Sequence, residues 1–222
     1  MDEIRIIELK ESVFANNDAK AEALRQSLRE QKTFLLNVMS SPGSGKTTTL
    51  KCLIEALKDE LRIGVMEADI DGAIDAEDIA ETTGVDTIQL HTGGMCHLDA
   101  GMTETGLKEI GHMHYDLIFL ENVGNLVCPA EFDTGSSKNM VLLSVPEGDD
   151  KPKKYPLMFE NADVVVVNKI DVEPYFDFDR DLFETYLRER NPHCEILYFS
   201  ALTGQGADEV VAWLRQEIEN WR

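Results

Sequence analysis

Positive charge is scarce in this 222-residue chain, where 21 Lys and Arg stand against 42 Asp and Glu for a formal net charge of −21. So acidic a surface repels phosphate backbones and anionic lipid, which excludes nonspecific binding to nucleic acid or membrane. Long apolar runs are lacking too. The longest, such as Val164–Val167, are strand-sized, and the opening Met1-Asp-Glu-Ile-Arg5 is no signal peptide. These absences predict a cytoplasmic protein. Cysteine is limited to four residues, which in that compartment are thiols free for packing, metal binding or catalysis. Internal repeats and low-complexity tracts are absent, and Met1–Lys32 has neither Cys nor His.

The length suits one globular domain: an N-terminal segment and helix over 1–33, then an α/β domain over 34–222. Met1–Phe14 is expected to pair as an edge segment or wrap the surface. Asn16, Asn17 and Asp18 offer caps for a helix over Ala19–Glu30. Seven strands are expected, at 34–39, 61–67, 87–91, 115–120, 140–145, 164–167 and 195–199, with helices between them. That alternation predicts a three-layer α/β/α fold with a mainly parallel sheet.

The strand Phe34–Met39 runs into Ser40-Ser-Pro-Gly-Ser-Gly-Lys46-Thr47-Thr48, followed by Leu50, Leu53, Ile54 and Leu57 at helical spacing. Strand, glycine turn and helix in that order form the phosphate loop of a P-loop NTPase. Ser40 stands where the strict pattern has glycine. Gly43, Ser44 and Gly45 bring backbone N–H groups to phosphate, Lys46 reaches the β- and γ-phosphates, and Thr47 and Thr48 open the helix. The Thr47 hydroxyl is placed to hold Mg²⁺. Two acidic strand ends supply further candidates: Asp69, for Mg²⁺ directly or through water, and Glu121, which closes a hydrophobic strand before Asn122-Val-Gly124. Asp75 is a weaker candidate for orienting a water.

Asn168-Lys-Ile-Asp171 selects the base. Guanine presents N1–H and a 2-amino group side by side, so Asp171 accepts both; adenine would leave that carboxylate unpaired. Asn168 supports the loop and the purine N7 edge, the Lys169 stem lies on the ring, and Ser200-Ala201 adds a backbone contact to the guanine oxygen. The predicted ligand is GTP or GDP, and Lys46, Thr47, Asp69 and Glu121 form the expected catalytic set.

Cys96, His97 and Cys128 offer two thiolates and an imidazole, a set suited to Ni²⁺ or Zn²⁺. Three ligands leave a tetrahedral shell open, and a two-fold dimer would close it. Cys128 follows Glu121 closely, so occupancy of the γ-phosphate site is expected to move a metal ligand. Cys52 is assigned to packing and Cys194 has no partner. His91, His112 and His114 are further ligand candidates, with surface or strand-end positions as the default reading.

Together, Ser40–Thr47, Thr92-Gly-Gly-Met-Cys-His-Leu-Asp-Ala100, Glu121-Asn-Val-Gly-Asn-Leu-Val-Cys-Pro-Ala130, Glu147-Gly-Asp-Asp150 and Asn168–Asp171 resemble the HypB family, the nickel-insertion GTPases of [NiFe]-hydrogenase maturation, over nearly the whole chain. The resemblance implies a GTP-dependent homodimer with metal at its interface on Cys96, His97 and Cys128. Hydrogenase-maturation proteins and the hydrogenase large subunit are its implied partners. It also implies a catalytic lysine reaching the partner's γ-phosphate, best matched by Lys154 with Lys151 as the alternative. Two departures stand out. The N-terminal Cys or His nickel motif of many members is missing from 1–32, so nickel storage is not expected, and Ala73-Ile74 replaces their Asp-Arg. The rivals are a urease or cobalamin-enzyme relative, and a GTP-regulated scaffold with structural zinc.

Overall fold

Each of the seven apolar runs becomes a strand, and all pair in parallel. The computed structural model describes residues 9–69, 72 and 74–222. The strands are β1 (Phe34–Ser40), β2 (Ile63–Asp69), β3 (Asp86–His91), β4 (Leu117–Glu121), β5 (Lys138–Ser144), β6 (Val164–Asn168) and β7 (Glu195–Tyr198). Their order is β3-β2-β4-β1-β5-β6-β7. In such a sheet ligands bind beyond the carboxyl ends of the strands, where the loops after β1, β2, β4 and β6 meet.

Nine helices are described: α1 (Leu9–Gln31), α2 (Lys46–Leu57), α3 (Ile74–Thr83), α4 (Ala100–Ile110), α5 (Cys128–Glu131), α6 (Lys151–Lys154), α7 (Pro156–Glu160), α8 (Arg180–Arg190) and α9 (Ala207–Trp221). Strand alternation sorts them into layers. Met140, Leu142, Val164 and Val166 face the larger core, which includes Leu53 of α2 and Leu214 of α9. Val141, Leu143, Val165 and Val167 point the other way, toward Met158 and Phe159 of α7 and Phe183 of α8. Strands covered on both faces read as continuous apolar runs, hence Val164–Val167. Leu50, Leu53, Ile54 and Leu57 of α2 are fully buried, each contributing about 1.5–3 kcal/mol relative to exposure. That burial fixes the helix whose first turn faces the site.

The structure corrects the N-terminal expectation. Residues 9–14, expected as an edge or wrapping segment, belong to α1, and 1–8 lie outside the described residues. Asn16–Asp18 are therefore inside the helix and do not cap it. Asn17 is buried, donating through Nδ2 to Asp133 O (2.9 Å) and accepting from Ala100 N (2.9 Å), so it ties α1 to α4 and to the loop after α5. Smaller shifts also have local causes. β4 starts at Leu117 because Asp116 pairs with Arg62 (Nε to Oδ2, 2.9 Å) before the ladder begins. β5 ends at Ser144, where Glu147 folds back to accept from Ser144 N (2.7 Å) in a capping box.

Candidate functional site

The phosphate loop is held open by its neighbours before any ligand arrives. Gly43 and Gly45 adopt φ of +77° and +98°, and a Cβ on Gly45 would stand 2.6 Å from Asn168 Nδ2. Only glycine fits there. Asn168 Nδ2 donates to Ser44 O (3.0 Å) and Lys169 Nζ to Gly43 O (2.6 Å), so the base-reading segment braces the loop from behind. Ser40 has a use that glycine could not serve. Its buried hydroxyl accepts from Ser44 Oγ (2.7 Å) and Lys46 Nζ (3.0 Å). Ser41 Oγ donates to Glu147, a strut from the loop after β5. The first turn of α2 carries no acidic residue, leaving its N–H groups and dipole for an anion.

A cavity of about 660 Å³ lies over this loop, lined by Gly43, Gly45, Lys46, Thr47 and Thr48 on one side and by Glu67, Asp69, Asp75, Glu121 and Gly124 on the other. Lys169 reaches its rim. Gly124 packs on Pro42, whose Cγ would lie 3.2 Å from an added Cβ, so the loop after β4 rests on the phosphate loop.

Glu121 is 2 % exposed, and burial pushes its carboxyl up to about 8; Lys46 and the Thr47 hydroxyl oppose the shift, while Glu67 and Asp75 add to it. Glu67, absent from the candidate residues of the sequence, is 4 % exposed and pushed up to about 7, first by burial, with the Gln89 amide beside it opposing and Asp69 and Asp75 adding. Oxygens of Glu67, Asp75 and Glu121 lie within 4.8 Å of one another, the one such set of possible metal ligands among the described residues. Glu67 Oε2 and Glu121 Oε2 are buried without a hydrogen-bond partner. Oxygen-only donors, two of them buried without a partner, fit a hard divalent cation. Asp69, the expected ligand, lines the same cavity but turns Oδ2 to Gly72 N (3.1 Å) and is outside the convergent set. Of the two departures in this loop, Ile74 begins α3 and is 79 % exposed, whereas Ala73 lies outside the described residues.

At the base end, Ser200 Oγ donates to Asp171 Oδ1 (2.6 Å), orienting the carboxylate. The Ala201 N–H, in the Ser200-Ala201 pair expected to contact the guanine oxygen, donates to Asn168 Oδ1 (3.0 Å). Asn168 thus braces Ser44 and Ala201, as its expected support of the loop requires, and its Nδ2 keeps a second hydrogen to donate.

The thiol candidates converge only in part. Gly93 and Gly94, both at positive φ, turn the chain after β3, and Asp99 caps α4 by accepting from Met102 N (2.8 Å). Cys96 and Cys128 are neighbours, and the nearness of the Cys96 thiol, with some burial, raises the Cys128 pKa. His97 does not join them. Its ring stacks on Phe132 (centroids 3.9 Å apart, planes at 6°), its buried Nδ1 has no partner, and burial lowers its pKa. Asn125 was overlooked at the sequence level. Its Oδ1 accepts from Val127 N (2.7 Å) and its Nδ2 donates to Cys128 Sγ (3.5 Å), binding the loop that follows Glu121 to the thiol. Lys154 lies away from the cavity, exposed and paired with Asp150 (2.5 Å), while Lys151 sits near the Tyr155 ring (5.9 Å). Cys52 packs in the core, and Cys194 is buried with its thiol pushed up to about 12 by burial. His112 caps α4 through Leu107 O (2.8 Å), as befits a structural residue. No described helix is long and apolar enough to cross a membrane.

Residues 34–198 match the CobW/HypB/UreG nucleotide-binding domain. The hydrogenase maturation factor HypB of Rhizobium leguminosarum is 44 % identical over 96 % of this chain and 71 % of its own length. That of Escherichia coli K12 is 42 % identical over 98 % and 74 %. The crystal structure of Helicobacter pylori HypB in complex with nickel superposes with a TM-score of 0.85 at 38 % identity, covering 93 % of this chain and 97 % of that one. Archaeoglobus fulgidus HypB gives 0.84 at 36 %, covering 92 % and 99 %.

Proposed function

The chain belongs to the HypB family of hydrogenase maturation factors, within the CobW/HypB/UreG nucleotide-binding domains, and from that premise we propose that it is a GTP-hydrolysing metallochaperone for nickel. Its ligands are GTP or GDP, with Mg²⁺ at Thr47 and the Glu121 carboxylate cluster, and nickel is its cargo. Cys96 and Cys128 hold that cargo at a homodimer interface, where His97 swings off Phe132 to join them and the partner copy completes the shell. Hydrogenase-maturation proteins and the hydrogenase large subunit receive it, in the cytoplasm.

The bound cation supplies charge neutralisation at the γ-phosphate. The chain supplies the rest. Lys46 and the α2 N–H groups stabilise charge developing on the transferring phosphoryl oxygens, and Asp75 orients the attacking water. No glutamine follows Glu121; Asn122 stands there, and its Nδ2 donates to Asn37 Oδ1 (3.1 Å). Without a water-orienting amide the single chain hydrolyses GTP slowly, and Lys154 from the partner raises the rate on dimerisation. One observation carries this reading: Asn125 ties the loop after Glu121 to Cys128, so the nucleotide cavity and the thiol share one segment.

Mass measurement with metal analysis, with and without a nonhydrolysable GTP analogue, tests it. The analogue should double the mass and change nickel or zinc affinity severalfold. If mass and affinity both stay unchanged, the reading fails.

A further inference from the structure

Seven buried side-chain N or O atoms lack a hydrogen-bond partner among the described residues, and four of them fall in one place. They are Glu67 Oε2, Glu121 Oε2 and both amide atoms of Gln89. The three residues form a single row across the sheet, since Glu67 is in register with Gln89 on β3 and with Glu121 on β4. In-register residues of adjacent strands project to the same face, so this row points as a unit toward the end of the cavity. Its unpartnered atoms include one oxygen from each of two carboxylates, and burial denies them bulk water, while the Gln89 amide lies beside Glu67.

A buried carboxylate oxygen left unpaired costs stability, and a row of such atoms persists where something else satisfies them. Two features identify what that is. Glu67 and Glu121 both line the nucleotide cavity, and Asp75 brings a third carboxylate within 4.8 Å of both. Lys46 and Lys169 are the cations that line this cavity, and their Nζ atoms are committed to Ser40 Oγ and Gly43 O. The row therefore has an excess of acceptors facing the cavity. A hydrated divalent cation offers the complement, because its water molecules are strong donors arranged around a positive centre. Gln89 is built to orient such a carboxylate from behind, as outer residues around metal sites do.

We infer that Glu67 is a positioning residue for the divalent cation of the nucleotide site, holding that ion's water shell beside Glu121 with Gln89 as its support. The inference rests on the proposed nucleotide function and adds a residue to it. It accounts for a buried carboxylate in the interior of β2, and for an amide set beside it in register on the neighbouring strand.

The test is Mg²⁺ titration of fluorescent GDP release from the full chain, which needs no turnover. Glu67→Gln should raise the Mg²⁺ concentration for half-maximal retention about tenfold or more, the usual loss on removing an outer residue of a metal site. Affinity for GDP in EDTA should stay within about twofold, because base and phosphate-loop contacts are intact. The melting temperature of the nucleotide-free variant should not fall, since the change removes a buried charge. Gln89→Met should shift the Mg²⁺ midpoint in the same direction by less, and it decides the matter if Glu67→Gln does not fold. An unchanged or lowered midpoint in both variants overturns the inference, as does an equal loss of affinity in EDTA. If Glu121→Gln shifts the midpoint while Glu67→Gln does not, only the role of Glu67 falls. If the unaltered protein binds no guanine nucleotide, the functional reading itself falls.

Discussion

The two ends of the loop Glu121–Cys128 differ in how finished they are. At the nucleotide end every brace comes from this chain: Asn168 and Lys169 hold the phosphate-loop carbonyls, Ser40 holds Lys46, and Ser200 holds Asp171. At the thiol end two cysteines are neighbours, but the imidazole beside them lies against Phe132. A finished pocket binds at low ordering cost. An unfinished one needs rearrangement or a second copy, and so can be governed by what the first one holds.

The largest test of that contrast is at the base. Asp171→Asn places an amide donor against guanine's donors, and GTP affinity should fall by about 10⁴-fold, the discrimination expected of a hydrogen-bonding site. A xanthine nucleotide, with a carbonyl in place of the amino group, should bind the variant better than GTP does. Fluorescence competition reads both, and retained GTP affinity would show that the base end is not built as described. Next is Gly45→Ala, where the added Cβ meets Asn168 and the residue is held at φ +98°. Strain of roughly 1–2 kcal/mol plus the displaced brace should weaken GTP about a hundredfold. Zinc binding by the thiols, followed with a colorimetric chelator, should be unaffected in the absence of nucleotide.

A third test uses pH. Glu121 and Glu67 have folded pKa values raised to about 8 and about 7, above the ordinary 4.5 of a carboxyl in the unfolded chain. Between those limits the folded state holds more protons, so stability falls as pH rises from about 4.5 through about 8. The slope approaches about 1.4 kcal/mol per pH unit for each such carboxyl at its steepest. Thermal melts from pH 5 to 8 should show this decline without ligand and a flatter profile with Mg²⁺ and GDP. A flat profile in the free protein would mean the carboxylates are already satisfied. The smallest effect is Asn125→Ala, which removes a cap worth about 1 kcal/mol, or roughly a fivefold change in zinc affinity. GTP affinity should not move. If it did, the thiol and nucleotide ends would already be locked together in the resting chain.

What the sequence made legible was whatever rests on neighbours in the chain. A glycine turn between strand and helix states its purpose locally, and so does Asn168–Asp171 at a strand end. Glu67 was illegible because nothing around it in β2 is unusual. Its meaning comes from register with Gln89 and Glu121 on other strands. Asn17 misled for a related reason. It reads as a cap from its neighbours, yet its partners are Asp133 and Ala100, remote in sequence and adjacent in space. Ala201 was placed at the base by motif, and the hydrogen bond to Asn168 shows that the same N–H can instead serve the scaffold.

Lys169 has a consequence of its own. It sits at φ +64° and crosses to the Gly43 carbonyl, so the segment proposed to read the purine also shapes the phosphate loop. A bare pyrophosphate therefore meets a cradle already moulded as though a nucleoside were attached. Fragments of the ligand should dock without first remodelling their half of the pocket, and a tether joining two such fragments would gain from geometry the polypeptide fixed when it folded.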